Sequence, residues 1–219
     1  MKHPAKTLHP AAPRAAPPAA DARAPQATRQ ALLHAAFEEI HEQGFRAASL
    51  DRILERAGVT KGALYHHFEN KVALGYAVLD EVILPEAAQW GARFDDPSAD
   101  VLAELARFIR EETEHVLARG LINGCPINNL VQEMSPVDEG FRLRLVKLQD
   151  AWRAALERAL RHAQREAKLR RDFDPKAMAA VLVAAYEGCQ SLGKCTREPA
   201  TYRLCMDGIV QTVDALRVR

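Results

Sequence analysis

The spacing of apolar residues constrains the fold of this chain more than any other feature. From Thr28 onward, apolar side chains recur at steps of three and four residues, and no run shows the period of two that is typical of a strand. Hydrophobic residues make up 48% of the 219 residues, which is enough to bury a core. The sequence therefore predicts an all-α protein.

Residues 1–27 differ from the rest of the chain, because they contain many of its alanines and prolines. This composition predicts a disordered Ala/Pro-rich arm. The arm has four basic residues and one acidic residue, a net charge of 4 − 1 = +3. Two interpretations stay open, a solvated tail and an arm that touches DNA.

Three helices are predicted after the arm. Thr28 and Ser49 are placed to cap the first two helices, and Gly58 ends the second one. Thr60 can cap a third helix over about residues 61–68. Two short helices around a tight glycine turn form a helix-turn-helix.

The third helix has one face suited to DNA. Its periodicity buries Leu64 and Phe68. Glycine permits close backbone approach, tyrosine offers a hydroxyl group and a flat ring, and lysine and histidine donate hydrogen bonds to phosphates or base edges. The opposite face carries these residue types, at Lys61, Gly62, Tyr65 and His66. This pattern predicts a helix that enters the major groove of double-stranded DNA.

Residues 37–71 resemble the DNA-binding domain of TetR-type transcriptional regulators. The resemblance rests on a phenylalanine in the first helix, a Gly-Phe pair, an Ala-Gly-Val-Thr turn, and a Leu-Tyr-His-His-Phe segment followed by a lysine. In this sequence these features are Phe37, Gly44 with Phe45, residues 57–60, residues 64–68 and Lys71.

The resemblance implies that residues 28–71 form a helix-turn-helix DNA-binding domain. It implies contacts to DNA bases or phosphates for the four residues on the outer face of the third helix. It also implies phosphate contacts for Ser49, Thr60 and Lys71, and a structural role for His67.

Residues 72–219 are too numerous and too apolar to be a linker, and we expect a helical bundle for ligand sensing and dimerisation. Pro85 should kink its first helix. Proline and polar clusters divide the region into helices at about 71–93, 98–119, 125–134, 137–168, 175–194 and 200–217.

The last two helices are the predicted dimer surface. A single short recognition helix needs a partner to read a two-fold site, so we expect a homodimer joined by a four-helix bundle. The resemblance implies the same assembly, and core packing within one chain is the alternative. The residues concerned are Ala179, Ala180, Val183, Ala184, Gly188, Leu192, Leu204, Ile209, Val213 and Leu216.

A segment at residues 124–134 suggests a sensor. Pro126 fits the first position of a helix, which makes Cys125 the cap residue, and a helix N-terminus favours a thiolate. The segment is similar to one in a TetR subgroup that includes repressors released by electrophiles such as N-ethylmaleimide or acrylate, although that subgroup has leucine in place of Pro126. A small buried hydrophobe is the alternative for the cysteine, and Cys195 is a candidate resolving partner. The sensing candidates are Cys125, Asn128, Asn129, Glu133 and Tyr186.

Catalysis has no recognisable basis in the sequence. No catalytic triad, phosphate-binding glycine loop or paired metal ligands can be traced, so we expect no enzymatic activity, metal or cofactor. The four cysteines lack zinc-site spacing, which favours a reduced chain in the cytoplasm. The longest apolar run, at residues 177–186, is about half the length of a membrane-spanning helix.

These observations predict a one-component transcriptional regulator, most simply a repressor that a small molecule or thiol-reactive signal releases from a palindromic operator. The alternative is an α-helical small-molecule enzyme or carrier that uses the helix-turn-helix only for packing. The net charge of +1 favours neither hypothesis.

Overall fold

A computed structural model describes residues 23–96, 98–120 and 122–218. The prediction of an all-α protein is confirmed, since these residues form helices and no β-strand. The α-helices are α1 (Arg23–Gln43), α2 (Leu50–Ala57), α3 (Lys61–His67), α4 (Lys71–Val78), α5 (Leu84–Ala92), α6 (Val101–Ala118), α7 (Pro126–Met134), α8 (Glu139–Arg165), α9 (Pro175–Thr196) and α10 (Pro199–Asp214).

The first helix begins earlier than the sequence pattern predicted. It starts at Arg23, so Thr28 lies inside the helix and does not cap it. The last five residues of the predicted arm, 23–27, belong to α1, and residues 1–22 lie outside the described part of the chain. Helix-compatible alanines on both sides of Pro25 explain the difference, because proline is tolerated in the first turn of a helix.

The caps of α2 and α3 agree with the prediction. The hydroxyl oxygen of Ser49 accepts a hydrogen bond from the Arg52 N–H at 3.4 Å, and that of Thr60 accepts one from the Ala63 N–H at 3.3 Å. Gly58 ends α2 with a left-handed φ of 65°, which a residue without a Cβ adopts at little cost. The turn therefore sets α3 against α2 as a helix-turn-helix.

The predicted kink near Pro85 takes the form of a π-helical turn at Leu79–Ile83, which joins α4 to α5. In this turn the Leu84 N–H donates to the carbonyl oxygen of Leu79, five residues earlier. Pro85 has no N–H to donate to Glu81, and its ring crowds that carbonyl group, so the regular α-helical pattern is interrupted here.

Two hydrophobic cores hold the helices together. The first core joins helices α1–α4 with α7 and the first half of α8, and it therefore extends beyond residue 71 into the C-terminal half of the chain, residues 72–218. The second core lies among α6, the second half of α8, α9 and α10. The two halves of the chain share the first core and are not separate bodies joined by a linker.

Gly75 on α4 lies at a close approach within the first core. A Cβ at this position would lie 2.4 Å from a Phe45 ring atom and 2.8 Å from Phe141. The rings of Phe45 and Phe141 are 4.7 Å apart, one from the loop after α1 and the other from α8. Glycine is thus required for this contact between the two halves.

The predicted dimer residues divide into two groups. Four of them are buried in the second core and therefore pack within one chain, which was the alternative to a dimer contact: Ala179, Ile209, Val213 and Leu216. Ala180 and Val183 are partly buried. The remaining four residues are exposed on α9 and α10: Ala184, Gly188, Leu192 and Leu204.

The expectation of four reduced cysteines is not met in this structure. Cys189 on α9 and Cys205 on α10 form a disulfide, with their Cα atoms 5.6 Å apart. Cys125 is a buried free thiol and Cys195 an exposed one. The short turn between α9 and α10 brings together two residues 16 positions apart, a proximity that cysteine spacing alone does not reveal.

The packing around Gly75 leads to a stability prediction. Gly75→Ala should lower the free energy of unfolding by about 1–3 kcal/mol, because overpacking outweighs the higher helix propensity of alanine. Gly91→Ala is the matched control, since its Cβ would lie 3.8 Å from Ala155, an ordinary contact. Urea unfolding measures both variants. Equal stability of the two variants would contradict the close approach.

Candidate DNA interface and sensor site

The outer face of α3 is free of contacts that the fold requires. Leu64 and Phe68 are 1% and 4% exposed, as predicted, and they anchor the helix to the first core. Tyr65 is 47% exposed, which is unusual for a large ring. The other residues on this face, Lys61, Gly62 and His66, are also exposed, as is Thr60. The sequence predicted this separation of faces correctly.

Gly62 has no internal packing reason to be glycine. A Cβ there would meet only the Thr60 hydroxyl oxygen, at 3.9 Å, and the position is helical. Glycine lowers helix stability by about 1 kcal/mol relative to alanine. An external partner that approaches the backbone closely would account for it.

The position of α2 depends on a buried carboxylate that the sequence reasoning did not assign. Glu39 on α1 is completely buried, and it accepts hydrogen bonds from the Ser49 N–H at 3.1 Å and from Arg52 Nε at 2.8 Å. It follows Ala36 by three positions, and an acid on that apolar stripe was the available signal. Glu39 thus fixes the start of α2, where Ser49 is predicted to meet a phosphate.

Lys71 has an internal role in addition to the predicted phosphate contact. Its ammonium group donates to the carbonyl oxygens of Arg46 at 3.0 Å and Ala48 at 2.6 Å. Partial burial lowers the pKa of Lys71. The side chain therefore braces the loop between α1 and α2, and its contact with phosphate stays a prediction.

Glu133, which was predicted as a sensing residue, lies at the junction of the two halves. Its carboxylate accepts hydrogen bonds from the Phe45 and Arg46 N–H groups, each at 2.7 Å. Gly44 has a φ of 84°, and a Cβ on it would lie 2.9 Å from a Glu133 oxygen. The end of α7 is thus fastened to the loop that precedes α2.

The two asparagines of α7 also hold neighbouring segments together. Asn128 donates to the Ser191 hydroxyl oxygen at 2.9 Å. Asn129 donates to the Asn123 carbonyl oxygen and accepts from Lys194, both at 2.9 Å. These contacts attach the first turns of α7 to α9 and to the preceding loop, so both side chains are engaged in the fold.

Cys125 and Tyr186 line a cavity of about 370 Å³ between α1, α6, the start of α7 and α9. Cys125 is the N-cap of α7, as predicted. The expected low pKa is wrong, however, because burial raises the pKa of the Cys125 thiol well above its usual range, and the charge of Glu187 adds to this effect. The Tyr186 hydroxyl accepts a hydrogen bond from Gln190 at 2.8 Å, and burial raises its pKa as well.

A metal-binding cluster and a membrane-spanning helix are both absent from the described residues. No group of three or more His, Cys, Asp or Glu side chains in these ranges is arranged to hold a metal ion. Within the same ranges, no helix combines the length and apolar character needed to cross a membrane.

The fold and the exposed face of α3 define a helix-turn-helix transcription regulator. Residues 32–78 match the bacterial regulatory proteins of the tetR family, and residues 101–209 match the tetracyclin repressor-like C-terminal domain. The chain belongs to the TetR family of DNA-binding transcriptional regulators, as the resemblance of residues 37–71 predicted.

Individual relatives agree with this assignment. The transcriptional regulator AcuR of Cereibacter sphaeroides is 34% identical over 176 residues, which are 80% of this chain and 78% of that protein. The repressor DhaR of a Mycobacterium species is 28% identical and covers 73% of this chain and 79% of its own length. The crystal structure of regulatory protein TetR from Rhodobacter sphaeroides matches with a TM-score of 0.73 and 28% sequence identity. The match covers 84% of this chain and 97% of that one.

Gly62 provides a test of the DNA face. Gly62→Ala should leave the fold as stable or slightly more stable, because alanine favours the helix, yet weaken operator binding by about tenfold or more through the added methyl group. Thermal unfolding and a gel-shift titration measure the two effects. Unchanged affinity would remove α3 from the closest contact with DNA.

Glu133 provides a test of the junction. Glu133→Gln loses the charge that strengthens both hydrogen bonds, so the Phe45 and Arg46 amides should exchange hydrogen about tenfold faster or more. Glu139→Gln is the control, because Glu139 is exposed and forms its ion pair with Arg142, three residues later on the same helix. Unaltered exchange at the two loop amides would show that Glu133 does not hold this loop.

Proposed function

We propose that this TetR-family regulator is a homodimeric, one-component repressor that acts in the cytoplasm on a palindromic operator. Each protomer would place α3 in one of two successive major grooves. A small molecule or a thiol-reactive compound that reaches the cavity at Cys125 would release the operator.

The exposed outer face of α3 is the observation that carries the DNA-binding part of the proposal. Four residues with suitable chemistry share this face: Lys61, Gly62, Tyr65 and His66. Ser49, Thr60 and Lys71 lie at or near the starts of α2, α3 and α4, where side-chain donors and helix N-termini suit phosphate oxygens.

Exposed apolar and small residues on α9 and α10 support the dimer. Leu204 is 75% exposed and Val181 is 56% exposed, which is a large apolar area for a face without a partner. A Cβ on Gly188 or Gly208 would meet no atom within 4 Å, so a second pair of helices can approach closely at both. These positions suit a two-fold four-helix bundle.

The proposed signal acts through differential affinity. An inducer releases DNA only if it binds or modifies the DNA-incompetent state better than the competent one. Helix α7 suits this role, because Cys125 precedes its first residue and Glu133, near its end, holds the loop before α2. A shift of α7 in the sensor half would thus be transmitted to the DNA-binding half.

Lysine substitutions test the proposed operator complex. Lys61→Ala should weaken binding to the operator palindrome and reduce the slope of log affinity against log salt by about one unit, because one phosphate contact is lost. Lys147→Ala on α8, which is also exposed, should change neither. Equal salt slopes for parent and Lys61→Ala would contradict a phosphate contact at this residue. A protein that sediments as a monomer with and without DNA would contradict the dimer.

A further inference from the structure

The disulfide between Cys189 on α9 and Cys205 on α10 joins the two helices of the proposed dimer face. Their Cα atoms are 5.6 Å apart, within the range of about 4.4–6.8 Å that a disulfide spans without backbone movement. The helices also approach each other closely elsewhere, because a Cβ on Gly193 of α9 would lie 2.5 Å from the Tyr202 ring of α10. We therefore expect the two sulfur atoms to stay within reach of each other when the bond is broken.

The packing of α9 on α10 does not depend on this bond. Tyr202 and Met206 of α10 are 0% and 1% exposed, and they belong to the second core together with Ala179 and Leu182 of α9. Burial of such apolar side chains is enough to hold two helices together. A crosslink that the packing does not require can open and close without loss of the fold.

The exposed residues of each helix form a stripe beside the disulfide. Cys189 directly follows Gly188 and Cys205 directly follows Leu204, and each cysteine faces the other helix. Gly188 is exposed, and Leu204 is 75% exposed. The bond thus fixes the distance between the two stripes at the level where the helices of a partner would pack. The stripes consist of Val181, Ala184, Gly188 and Leu192 on α9 and of Leu204, Gly208 and Gln211 on α10.

The two sulfur atoms differ in access from solvent. Cys189 is 4% exposed, whereas Cys205 is partly exposed, so an oxidant meets Cys205 first. A hydroperoxide is suited to such a position, because hydrogen peroxide is little larger than a water molecule. The disulfide of Cys205 with Cys189 then protects both residues from further oxidation, which an exposed single thiol lacks.

We propose that Cys189 and Cys205 form a redox modification site that a small hydroperoxide closes in the reduced protein, and that closure strengthens the dimer. This inference rests on the proposed function, because it requires the homodimer and the cytoplasm. Disulfides of cytoplasmic proteins are usually transient and serve catalysis or redox sensing.

The oxidation balances with the hydroperoxide as the electron acceptor. The sulfur of Cys205 attacks one oxygen of hydrogen peroxide, so an S–O bond forms, the O–O bond breaks, and the other hydroxyl group leaves with the thiol proton as water. The sulfur of Cys189 then attacks the sulfenic sulfur of Cys205. An S–S bond forms, the S–O bond breaks, and the hydroxyl group leaves with the Cys189 proton as a second water molecule. The two thiols lose two electrons, which dithiothreitol can restore.

Closure should favour dimerisation because it restricts the helices that dimerise. In the reduced protein, α9 and α10 lose freedom of relative motion when a partner packs against them, and this loss weakens association. A crosslink that forms before association removes part of the loss. The exposed side chains that would meet the partner, such as Val181 and Leu204, are the same in both redox states.

Peptide mapping of the full-length protein tests the site itself. The thiols are first reduced, the reductant is removed, and hydrogen peroxide is added before digestion without reductant. The Cys189 and Cys205 peptides should become joined, and dithiothreitol should separate them. Cys195→Ser is the matched control, because it removes an exposed, free cysteine of the same helix and should leave the rate of crosslinking unchanged. A Cys205 that ends as a sulfinic or sulfonic acid, with Cys189 still a thiol, would overturn the proposal.

Glutathione disulfide tests the chemical class of the oxidant. Its sulfur carries a tripeptide and must approach Cys205 along a defined line, so the partly buried position should slow it. The rate of closure with each oxidant is divided by the rate of the same oxidant with free N-acetylcysteine. The relative rate should be about tenfold lower for glutathione disulfide than for hydrogen peroxide. Equal relative rates would overturn the assignment to a hydroperoxide.

The dimer dissociation constant tests the effect of closure. Analytical ultracentrifugation should give a dissociation constant about fivefold lower, or less, for the oxidised parent than for the reduced parent. Cys205→Ser should match the reduced parent with and without peroxide. The comparison of the two parent forms needs no substitution, so it holds even if the variant fails to fold. Equal dissociation constants for the two parent forms, or an equal response of Cys205→Ser to peroxide, would overturn the proposed effect.

The oligomeric state separates this inference from the proposed function. A chain that sediments as a monomer in both redox states would contradict the dimer of the proposed function and the effect of closure on it, and the peptide map would then decide the redox site alone. A dimer of equal strength in both states would overturn the effect of closure and leave the proposed function standing.

Discussion

The hydrogen bonds from the Phe45 and Arg46 N–H groups to Glu133 are the constraint on which the arrangement of the two halves depends. They join the end of α7 to the loop that sets the start of α2, and Lys71 braces the same loop through two carbonyl oxygens. The ring contact across Gly75 adds an apolar component to this junction. Because a charged acceptor forms stronger hydrogen bonds than a neutral one, a single carboxylate can couple the two halves.

Two buried glutamates, Glu39 and Glu187, differ in their hydrogen-bond partners. One carboxylate oxygen of Glu39 accepts two hydrogen bonds from the start of α2, and this contact positions one helix on another. Glu187 has no such donor among the described residues, and burial raises its pKa to about 7. The difference lies in the neighbours, because within the described part of the chain only Glu39 has hydrogen-bond donors in reach.

Cys125 illustrates a competition between two effects of known size. A helix N-terminus stabilises a negative charge by about 0.3–1 kcal/mol, and up to about 2 kcal/mol in a partly buried geometry. Complete burial can shift a pKa by about 3–5 units, and each unit corresponds to about 1.4 kcal/mol. Burial therefore prevails, and the thiol is protonated in spite of its position before α7. The position of a cysteine at a helix N-terminus therefore predicts the direction of only one of the contributions to its pKa.

The sequence alone determined the helical class, the helix-turn-helix, and the outer face of α3, because each depends on periodicity, caps and turn residues within a few positions of one another. It also predicted most helix boundaries of the C-terminal half to within a few residues. It did not determine the partners of Glu133, Asn128 and Asn129, the pairing of Cys189 with Cys205, or the neighbours of Glu187. Apart from the disulfide and the hydrogen bond from Asn129 to Asn123, these contacts join residues more than 60 positions apart in the chain. Periodicity indicates which face of a helix is buried, whereas only the packing of several helices decides which side chain lies opposite it.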